Sequence, residues 1–512
     1  MIIALHYSKL RPVLNFSCLQ QCVRTVTVSA ATDKLQQTEF KSFREIPGPS
    51  SLPIMGPFLH FMPGGSLHNI NSTELTHKLY DIYGPIVRID SMFSKDAIVL
   101  LYDAESAGII LRNENNMPIR IGFKSLSYYR QKYKKSENDR TDRPTGLVSD
   151  HGELWKSFRS AVNPVLLQPK TIRLYSSALE EVATDMVERL RSLRDENNRI
   201  RGQFDQEMNL WSLESIGVVA LGNRLNCFDS NLQDDSPVKR LIECVHQMFV
   251  LSNELDLKPS IWTYVSTPLF RKTMKMYEEQ ENLTKYFIKK ALDDIKMNKS
   301  KSDDEKPVLE KLLDINEEYA YIMASDMLVA GVDTTSNTMS ATLYLMAINQ
   351  DKQQKLREEV MSKNGKRSYL RACIKEAMRI LPVVSGNMRR TTKEYNILGY
   401  HIPENVDIAF AHQHLSMMEK YYPRPTEFIP ERWLTNKSDP LYYGNAHPFA
   451  NSPFGFGVRS CIGRRIAELE VETFLSKIVE NFQVEWSGSS PRVEQTSINY
   501  FKGPFNFIFK DL

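Results

Sequence analysis

The sequence predicts a mainly α-helical protein with small β-sheets, folded as one large domain. Apolar residues recur at three- and four-residue spacing in several long segments, which is typical of amphipathic helices. These segments are residues 178–194, 237–252, 273–295 and 350–362. Strand-like segments are few and short, and no second domain boundary stands out along the chain. The 512 residues are enough for a single domain with a substantial buried core.

The elements follow in order from the start of the domain. Ile46 to Pro57 is rich in Pro and Gly and fits neither a helix nor a central strand. Residues 86–89 and 97–102 are rich in β-branched side chains and predict an early hairpin. Residues 296–306 are rich in lysine and acids and predict a solvated loop. Residues 320–332 carry one charge, Asp326, so this helix is predicted to cross the centre of the domain.

The amino-terminal segment has a composition of its own. Its first 32 residues contain Lys9, Arg11 and Arg24, several Ser and Thr, and no acidic residue. This composition is typical of mitochondrial presequences, and the apolar stretches are too short for a membrane span. We expect residues 1–32 to be a transit peptide and residues 33–45 a linker before a domain over 46–512. An unstructured amino terminus is the alternative.

Charge and cysteine content exclude several classes of protein. Lys and Arg total 65 and Asp and Glu total 62, and this surplus of three is too small to indicate nucleic-acid binding. The six cysteines include no C-x-x-C pair. This argues against a disulfide framework and a zinc ribbon, and favours a reducing compartment.

A glycine-rich loop surrounds one cysteine near the carboxyl terminus. Residues 454–463 read Phe-Gly-Phe-Gly-Val-Arg-Ser-Cys-Ile-Gly, and a helix-like sequence follows. Glycine lets backbone approach a flat ligand, and a helix amino terminus favours a thiolate. Haem needs one axial ligand from the protein, so Cys461 is a candidate ligand, with Arg459 a candidate partner for a haem propionate. A buried structural cysteine is the alternative.

The loop matches the pattern F-x-x-G-x-R-x-C-x-G and resembles the haem-binding signature of the cytochromes P450, the haem-thiolate monooxygenases. The resemblance implies the fold of that family, with heme b between a long central helix and the helix after the cysteine loop. It also implies that Cys461 is the axial thiolate ligand of the iron. Phe454, Gly455 and Gly463 would then contact the haem.

Two further motifs appear in the order of that family. Glu376 and Arg379 match E-x-x-R, and the i, i+3 spacing places them on one helix face. Arg432 belongs to the later P-E-R segment, Pro430-Glu431-Arg432. The resemblance implies that Glu376, Arg379 and Arg432 form a buried ion triad. Taken alone, an E-x-x-R pair also occurs on many surface helices.

Other arginines are implied partners of the haem propionates. Trp155 and Arg159 match the W-x-x-x-R helix of the family, whose spacing places both on one face. Arg389 resembles a further propionate partner by its position after the E-x-x-R helix. Its neighbour Arg390 is a rival for that role.

The polar end of the apolar helix resembles the oxygen-activation motif of the family. Residues 330–335 read Ala-Gly-Val-Asp-Thr-Thr. The resemblance implies that Gly331 relaxes the helix and that Asp333 and Thr334 relay protons during oxygen activation. The alternative is a helix whose threonine hydroxyls bond to its own carbonyls.

The leader and two basic pairs resemble the mitochondrial class of the family, and the chain is similar to its insect members. Arg371 and Lys375 lie at i, i+4 on the E-x-x-R helix, and Arg464 and Arg465 follow Cys461. In that class, such residues hold a small acidic [2Fe-2S] ferredoxin, which receives electrons from its reductase. The resemblance implies a location on the matrix side of the mitochondrial inner membrane, with peripheral membrane association. A solvated basic face is the alternative.

These expectations favour a monooxygenase that inserts one oxygen atom of O2 into a C–H bond of a lipophilic substrate, a steroid or a xenobiotic. A haem-thiolate isomerase or dehydratase and a non-catalytic haem-binding sensor are the alternatives. The sequence departs from the family pattern at residues 361–368, where the connection between two helices is shorter than usual. This connection borders the expected ferredoxin face.

Overall fold

The computed structural model describes residues 40–53, 55–91, 97–133, 143–168, 173–200, 203–258, 260–297, 306–362 and 365–512. Residues 41–512 belong to one structural unit. The predicted transit peptide, most of the predicted linker and nearly all of the predicted loop at 296–306 lie outside the described residues. No helix in the described ranges is long and apolar enough to cross a membrane.

Helices account for most of the regular structure in these ranges. The α-helices are α1 (Phe58–Phe61), α2 (Ser72–Tyr83), α3 (Ala104–Arg112), α4 (Lys124–Tyr128), α5 (Gly152–Leu167), α6 (Ser176–Leu193), α7 (Phe204–Leu221), α8 (Pro237–Ser252), α9 (Pro268–Met297), α10 (Val308–Leu313), α11 (Glu317–Ile348), α12 (Gln350–Met361), α13 (Ser368–Ile380), α14 (His412–Ser416) and α15 (Arg464–Asn481). The strands are β1 (Ile86–Asp90), β2 (Ala97–Leu101), β3 (Asn387–Arg390), β4 (Tyr395–Ile397), β5 (Tyr400–Ile402), β6 (Asp407–Phe410), β7 (Phe482–Trp486), β8 (Arg492–Gln495), β9 (Asn499–Lys502) and β10 (Phe507–Asp511). The predicted class, mainly α with small β-sheets, is confirmed.

The helix predictions agree closely with the structure. Helix α8 has the predicted bounds, α6 and α12 differ from the prediction by one or two residues at an end, and α9 extends beyond the predicted segment at both ends. The predicted hairpin is present as β1 and β2, which pair antiparallel with Ile86 opposite Leu101. Their sheet has the order β1-β2-β6-β3, in which β2 and β6 are parallel. The other sheets have two strands each.

Helix α11 crosses the core, as its apolar sequence predicts. Its first half packs into one large apolar cluster and its second half into another, with the polar residues 333–337 between the two. Its charged residue Asp326 is 7% exposed and pairs with Arg130 at 2.8 Å, which stabilises the buried carboxylate. The polar segment thus lies where two halves of the core meet.

Gly331 has a packing role that the sequence did not indicate. Helix α11 stays α-helical through this residue, so the predicted relaxation is absent. A Cβ atom at Gly331 would lie 2.7 Å from Cγ1 of Ile216 on α7. Ser212 of the same helix also donates a hydrogen bond to the Gly331 carbonyl at 2.9 Å. The glycine therefore permits close approach of α7 to α11.

The short connection between α12 and α13 is closed by a side chain. Glu359 accepts hydrogen bonds from the backbone amides of Tyr369 and Leu370, each at 2.9 Å. It also accepts one from the Ser368 hydroxyl at 2.9 Å. Free amides at a helix amino terminus favour such an acidic partner. Glu359 of α12 thus holds the first turn of α13.

Candidate active site: a cysteine loop lined by arginines

The loop before α15 is shaped by two glycines and one backbone hydrogen bond. Gly455 has φ +70° and Gly457 has φ +69°, which are left-handed values that favour glycine. The Cys461 amide donates to the Phe454 carbonyl at 2.8 Å. This bond closes the loop and places Cys461 just ahead of α15.

Cys461 is exposed at the end of its loop. The surrounding protein nevertheless removes much of the water around its thiol, which raises the pKa of that thiol. The Gly463 amide and the guanidinium groups of Arg120 and Arg159 act in the opposite direction on this pKa and favour the thiolate. An open thiol among amide and guanidinium donors is suited to a thiolate ligand of a metal.

Four arginines from separate parts of the chain form a group near this thiol. The charges of Arg120, Arg159 and Arg389 act on Arg459, and those of Arg120 and Arg159 act on Cys461. Burial, together with the charges of the other three arginines, lowers the pKa of Arg459 to about 9. Grouping buried cations in this way is unfavourable unless anions neutralise them.

Arg459 is held by backbone carbonyls and by an aromatic ring. Its guanidinium group donates to the carbonyls of Pro118, Leu147 and Asp150 at 3.0, 3.1 and 3.0 Å. Its central carbon lies 3.7 Å from the centroid of the Trp155 ring, a cation–π contact. Trp155 on α5 therefore supports the cysteine loop through Arg459.

The structure distinguishes the two rival arginines on β3. Arg389 forms an ion pair with Glu114 at 2.5 Å and is 3% exposed. Arg390 instead binds both oxygens of Asp407, at 2.7 and 3.0 Å. Arg389 is the member of the pair that belongs to the arginine group.

The arginine group fits a haem, because it has donors available for two propionates. Arg120 has no hydrogen-bond or ion-pair partner in the described part of the chain, and Arg159 Nε is buried without one. The other end of Arg159 donates to the Ser460 carbonyl at 2.9 Å. Glu114 is the one carboxylate paired with the group by a salt bridge among the described residues. Arg120 belongs to no sequence motif, so no signal in the sequence could have identified it.

Glu376, Arg379 and Arg432 lie in contact, each 0% exposed. Glu376 accepts two hydrogen bonds from Arg379 at 2.8 and 3.0 Å and one from Arg432 at 2.9 Å. It also accepts from Trp433 Nε1 at 2.9 Å and from the Ile429 amide at 3.2 Å. These contacts join α13 to the segment before the cysteine loop.

Asp333 and Thr334 are adjacent in sequence but have separate partners. The Thr334 hydroxyl donates to the Ala330 carbonyl at 2.7 Å. This is the bond expected if the threonine hydroxyl only bonds to a carbonyl of its own helix. Asp333 is 0% exposed and accepts a hydrogen bond from the Tyr500 hydroxyl. His246 Nδ1 lies 3.7 Å from the same carboxylate oxygen. Tyr500 and His246 belong to no motif, so the sequence did not indicate them.

The four candidate docking residues lie on α13 and α15. Arg371 pairs with Glu472 of α15 at 2.8 Å. Lys375 is exposed, and its Nζ lies 5.7 Å from the centroid of the Trp433 ring. The pairing of Arg371 links the two helices on this face.

The basic pair at the start of α15 is exposed. Arg464 pairs with Glu468 at 2.9 Å and lies 5.3 Å from the Phe454 ring. Arg465 is exposed and has no partner among the described residues. A Cβ atom at Gly463, the residue before this pair, would lie 4.0 Å from Cys461 Sγ. This face thus adjoins the loop that carries the cysteine.

Comparison with known proteins identifies the family. The family model described as Cytochrome P450 matches residues 46–506. "Cytochrome P450 CYP12A2" of Musca domestica is 38% identical over 96% of this chain and 95% of its own length. "Probable cytochrome P450 12a5, mitochondrial" of Drosophila melanogaster is 35% identical over 100% of this chain and 99% of its own. The resemblance to insect mitochondrial members is confirmed. The chain belongs to the cytochrome P450 family, whose cofactor is heme b with an axial cysteine thiolate, and is a mitochondrial monooxygenase.

Proposed function

We propose that this monooxygenase inserts one oxygen atom of O2 into a C–H bond of a lipophilic substrate, a steroid or a xenobiotic, with electrons from a mitochondrial [2Fe-2S] ferredoxin and its reductase. The single observation that carries the proposal is Cys461, whose exposed thiol lies just before α15 near the guanidinium groups of Arg120 and Arg159. When bound, the haem supplies the activation of O2, which its axial thiolate favours.

Cys461 is the proposed axial ligand. The Gly463 amide and the charges of Arg120 and Arg159 support the thiolate form, which is the form that binds a metal. Phe454 and Gly455 begin the loop that presents the sulfur, and the bond from the Cys461 amide to Phe454 holds that loop closed.

The propionates are proposed to bind Arg120, Arg159 and Arg389, with Arg459 and Trp155 bracing the loop. Arg159 Nε and the Arg120 guanidinium group have N–H donors that lack hydrogen-bond partners among the described residues. Arg389 Nε faces Glu114, and burial raises the pKa of that carboxyl. These donors would hold the haem by charge-assisted hydrogen bonds.

Asp333 and Thr334 are proposed to move protons during turnover. Asp333 Oδ1 is buried without a hydrogen-bond partner in the described structure, so it has a free acceptor position. The Thr334 hydroxyl donates to Ala330, which leaves its oxygen free to accept. Positioned acid–base groups of this kind typically contribute about 10²–10⁴-fold to a rate.

The proposed ferredoxin face comprises Arg371, Lys375, Arg464 and Arg465. Three acids, Glu359, Glu468 and Glu472, act on Arg371, and the four cations outnumber them. A positive face favours encounter with an acidic electron-transfer protein.

We further infer that residues 1–32 direct the chain to the mitochondrial matrix, and that residues 33–45 link this leader to the domain at 46–512. Peripheral contact with the inner membrane is supported by large apolar side chains on the surface. Leu59, Tyr264 and Val265 are 56%, 75% and 55% exposed. Tyr264 and Val265 are adjacent, and an exposed apolar patch of neighbouring residues favours contact with a membrane surface. A fusion of residues 1–40 to a reporter should enter mitochondria, and a cytosolic reporter would contradict the leader assignment.

The ligand assignment is tested by spectroscopy of the purified protein. The reduced protein with carbon monoxide should show the haem-thiolate absorption band, and Cys461→Ser should abolish it. Cys244→Ser changes a buried cysteine elsewhere and should leave the band unchanged. An unchanged band in Cys461→Ser would overturn the assignment. Oxidation of 7-ethoxycoumarin to 7-hydroxycoumarin and acetaldehyde, dependent on O2, ferredoxin and reductase, tests the reaction itself, because insertion of oxygen into the ethoxy C–H bond gives a hemiacetal that breaks down to these two products.

A further inference from the structure

A buried carboxylate on the central helix is connected to the surface by two side chains. Asp333 is 0% exposed, whereas the His246 side chain is 26% exposed. Nδ1 of His246 lies 3.7 Å from Asp333 Oδ2, so the imidazole spans the distance between solvent and carboxylate. No other ion pair involves Asp333 among the described residues.

Tyr500 holds both members of this pair. Its hydroxyl donates to Asp333 Oδ2, and its ring packs edge-on against His246 with centroids 4.7 Å apart. Tyr500 is 4% exposed, and burial raises the pKa of its hydroxyl, with the Asp333 charge adding to the effect. The phenol therefore remains a hydrogen-bond donor.

The position of Tyr500 is set by the backbone of β9. The Phe501 amide donates to Asn337 Oδ1 at 2.8 Å, and Asn337 Nδ2 donates to the Asp333 carbonyl at 2.7 Å. Strand β9 is thus attached to the same turn of α11 that carries Asp333. This attachment aims the tyrosine at the carboxylate without depending on the side-chain bond.

We propose that His246 is the entry for protons to Asp333 and that Tyr500 positions Asp333 to receive them. With its ring proton on Nδ1, His246 takes a proton from solvent at Nε2 and passes the Nδ1 proton to the Asp333 carboxylate, so the ring is neutral again with its proton on Nε2. Exchange of ring protons with solvent restores the first form before the next transfer. The 3.7 Å between Nδ1 and Oδ2 exceeds a hydrogen-bond length, so a small side-chain rotation precedes the transfer. The proposal rests on the proposed role of Asp333 in proton transfer.

Other charged groups face this route from each neighbouring element. Glu243 lies on α8 and Glu494 on β8, and both charges act on Tyr500. Lys502 on β9 has its Nζ 5.0 Å from the centroid of the Tyr500 ring. Glu243 and Glu494 are exposed, and Lys502 is half-buried.

The test compares two oxidants in the haem-loaded enzyme, with 7-ethoxycoumarin as the probe. Turnover with NADPH, ferredoxin, reductase and O2 requires protons from the protein, whereas hydrogen peroxide carries its own. We expect His246→Gln and Tyr500→Phe to lower the ratio of NADPH-supported to peroxide-supported oxidation by about tenfold or more. The solvent deuterium isotope effect on the NADPH-supported rate should rise in His246→Gln. Gln247→Ala, on the same helix, should leave the ratio unchanged.

Stability measurements supply a readout that does not depend on turnover. If His246 and Asp333 interact, the shift in the thermal unfolding midpoint of the double variant His246→Gln/Asp333→Asn should differ from the sum of the two single shifts. Additive shifts, or an unchanged oxidant ratio, would overturn the proposal. If the unsubstituted enzyme has neither oxidation activity, the proposed substrate chemistry is contradicted instead. The unfolding shifts would then still show whether His246 and Asp333 interact.

Discussion

Arg371 Nε donates a hydrogen bond to Glu472 Oε1 at 2.8 Å and thereby links α13 to α15. The two side chains differ in exposure, 59% for Arg371 and 11% for Glu472. Removal of Arg371 would leave the Glu472 carboxylate largely buried and unpaired, which is unfavourable. A residue proposed to bind ferredoxin therefore also has a structural role. Effects of Arg371 substitutions on electron transfer must be separated from effects on stability.

Arg465 offers a cleaner test of the docking face than Arg371 does. It is exposed and has no partner in the described structure, so its reversal should not disturb the fold. We expect Arg465→Glu to raise the KM for ferredoxin by about fivefold or more at low ionic strength, with no change in thermal midpoint. Lys272→Glu, which reverses the charge of an exposed residue on α9, is the matched control. Equal KM values for the two variants would contradict the assignment of this face.

Arg120 should contribute to haem retention. Because it lacks any partner in the described chain, its whole hydrogen-bonding capacity is available to a propionate. We expect Arg120→Ala to accelerate haem transfer to apomyoglobin by about tenfold. Arg240→Ala removes an exposed arginine that pairs with Glu279 and should leave the rate unchanged. Identical transfer rates in the two variants would exclude Arg120 from the haem site.

The carboxyl of Glu470 should make stability depend on pH. Burial raises its pKa to about 8, and Thr335 donates one hydrogen bond to it at 3.4 Å. An unfolded glutamate has a pKa of about 4.3. Between these values the folded protein holds the carboxyl protonated, whereas the unfolded chain ionises it. The side chain therefore lowers stability progressively as the pH rises through this window, and has no such effect below it.

Glu470→Gln removes this ionisation and keeps the shape of the side chain. We expect its gain in free energy of unfolding, measured in urea, to be about 3 kcal/mol larger at pH 8 than at pH 5. Glu480→Gln, nearer the end of α15, should show no such dependence. A pH-independent effect of Glu470→Gln would mean that the carboxyl is already ionised in the folded protein.

The Glu376 cluster should be essential for stability. Glu376→Gln places an amide group against the donors of Arg379, Arg432 and Trp433 and leaves two buried guanidinium groups without a counter-charge. We expect a loss of about 3–5 kcal/mol in the free energy of unfolding. Glu254→Gln, which affects an exposed pair with Lys258 on another part of the chain, should have no measurable effect. A loss of the same size in both variants would contradict a special role for the buried cluster.

Some of the chemistry could be predicted because it is local in sequence. The loop ending at Cys461 has its glycines within a few residues of the sulfur. Glu376 and Arg379 lie one helical turn apart, as do Trp155 and Arg159. The apolar circumference of α11 predicts a buried helix whatever its neighbours are. Such features depend on backbone geometry over a few residues, so contiguous residues are sufficient to reveal them.

Other features arise only when distant segments fold together. Arg120, Tyr500 and His246 carry no local pattern. Asp333, the partner of Tyr500 and His246, lies far from both of them along the chain. Arg390 differs from Arg389 because β6 places Asp407 beside it, and Arg390 binds this carboxylate instead of joining the arginine group. Gly331 is needed for packing because α7 approaches α11 closely at this residue. Side-chain partners are selected by distance and burial in three dimensions, which the spacing of residues along the chain does not specify.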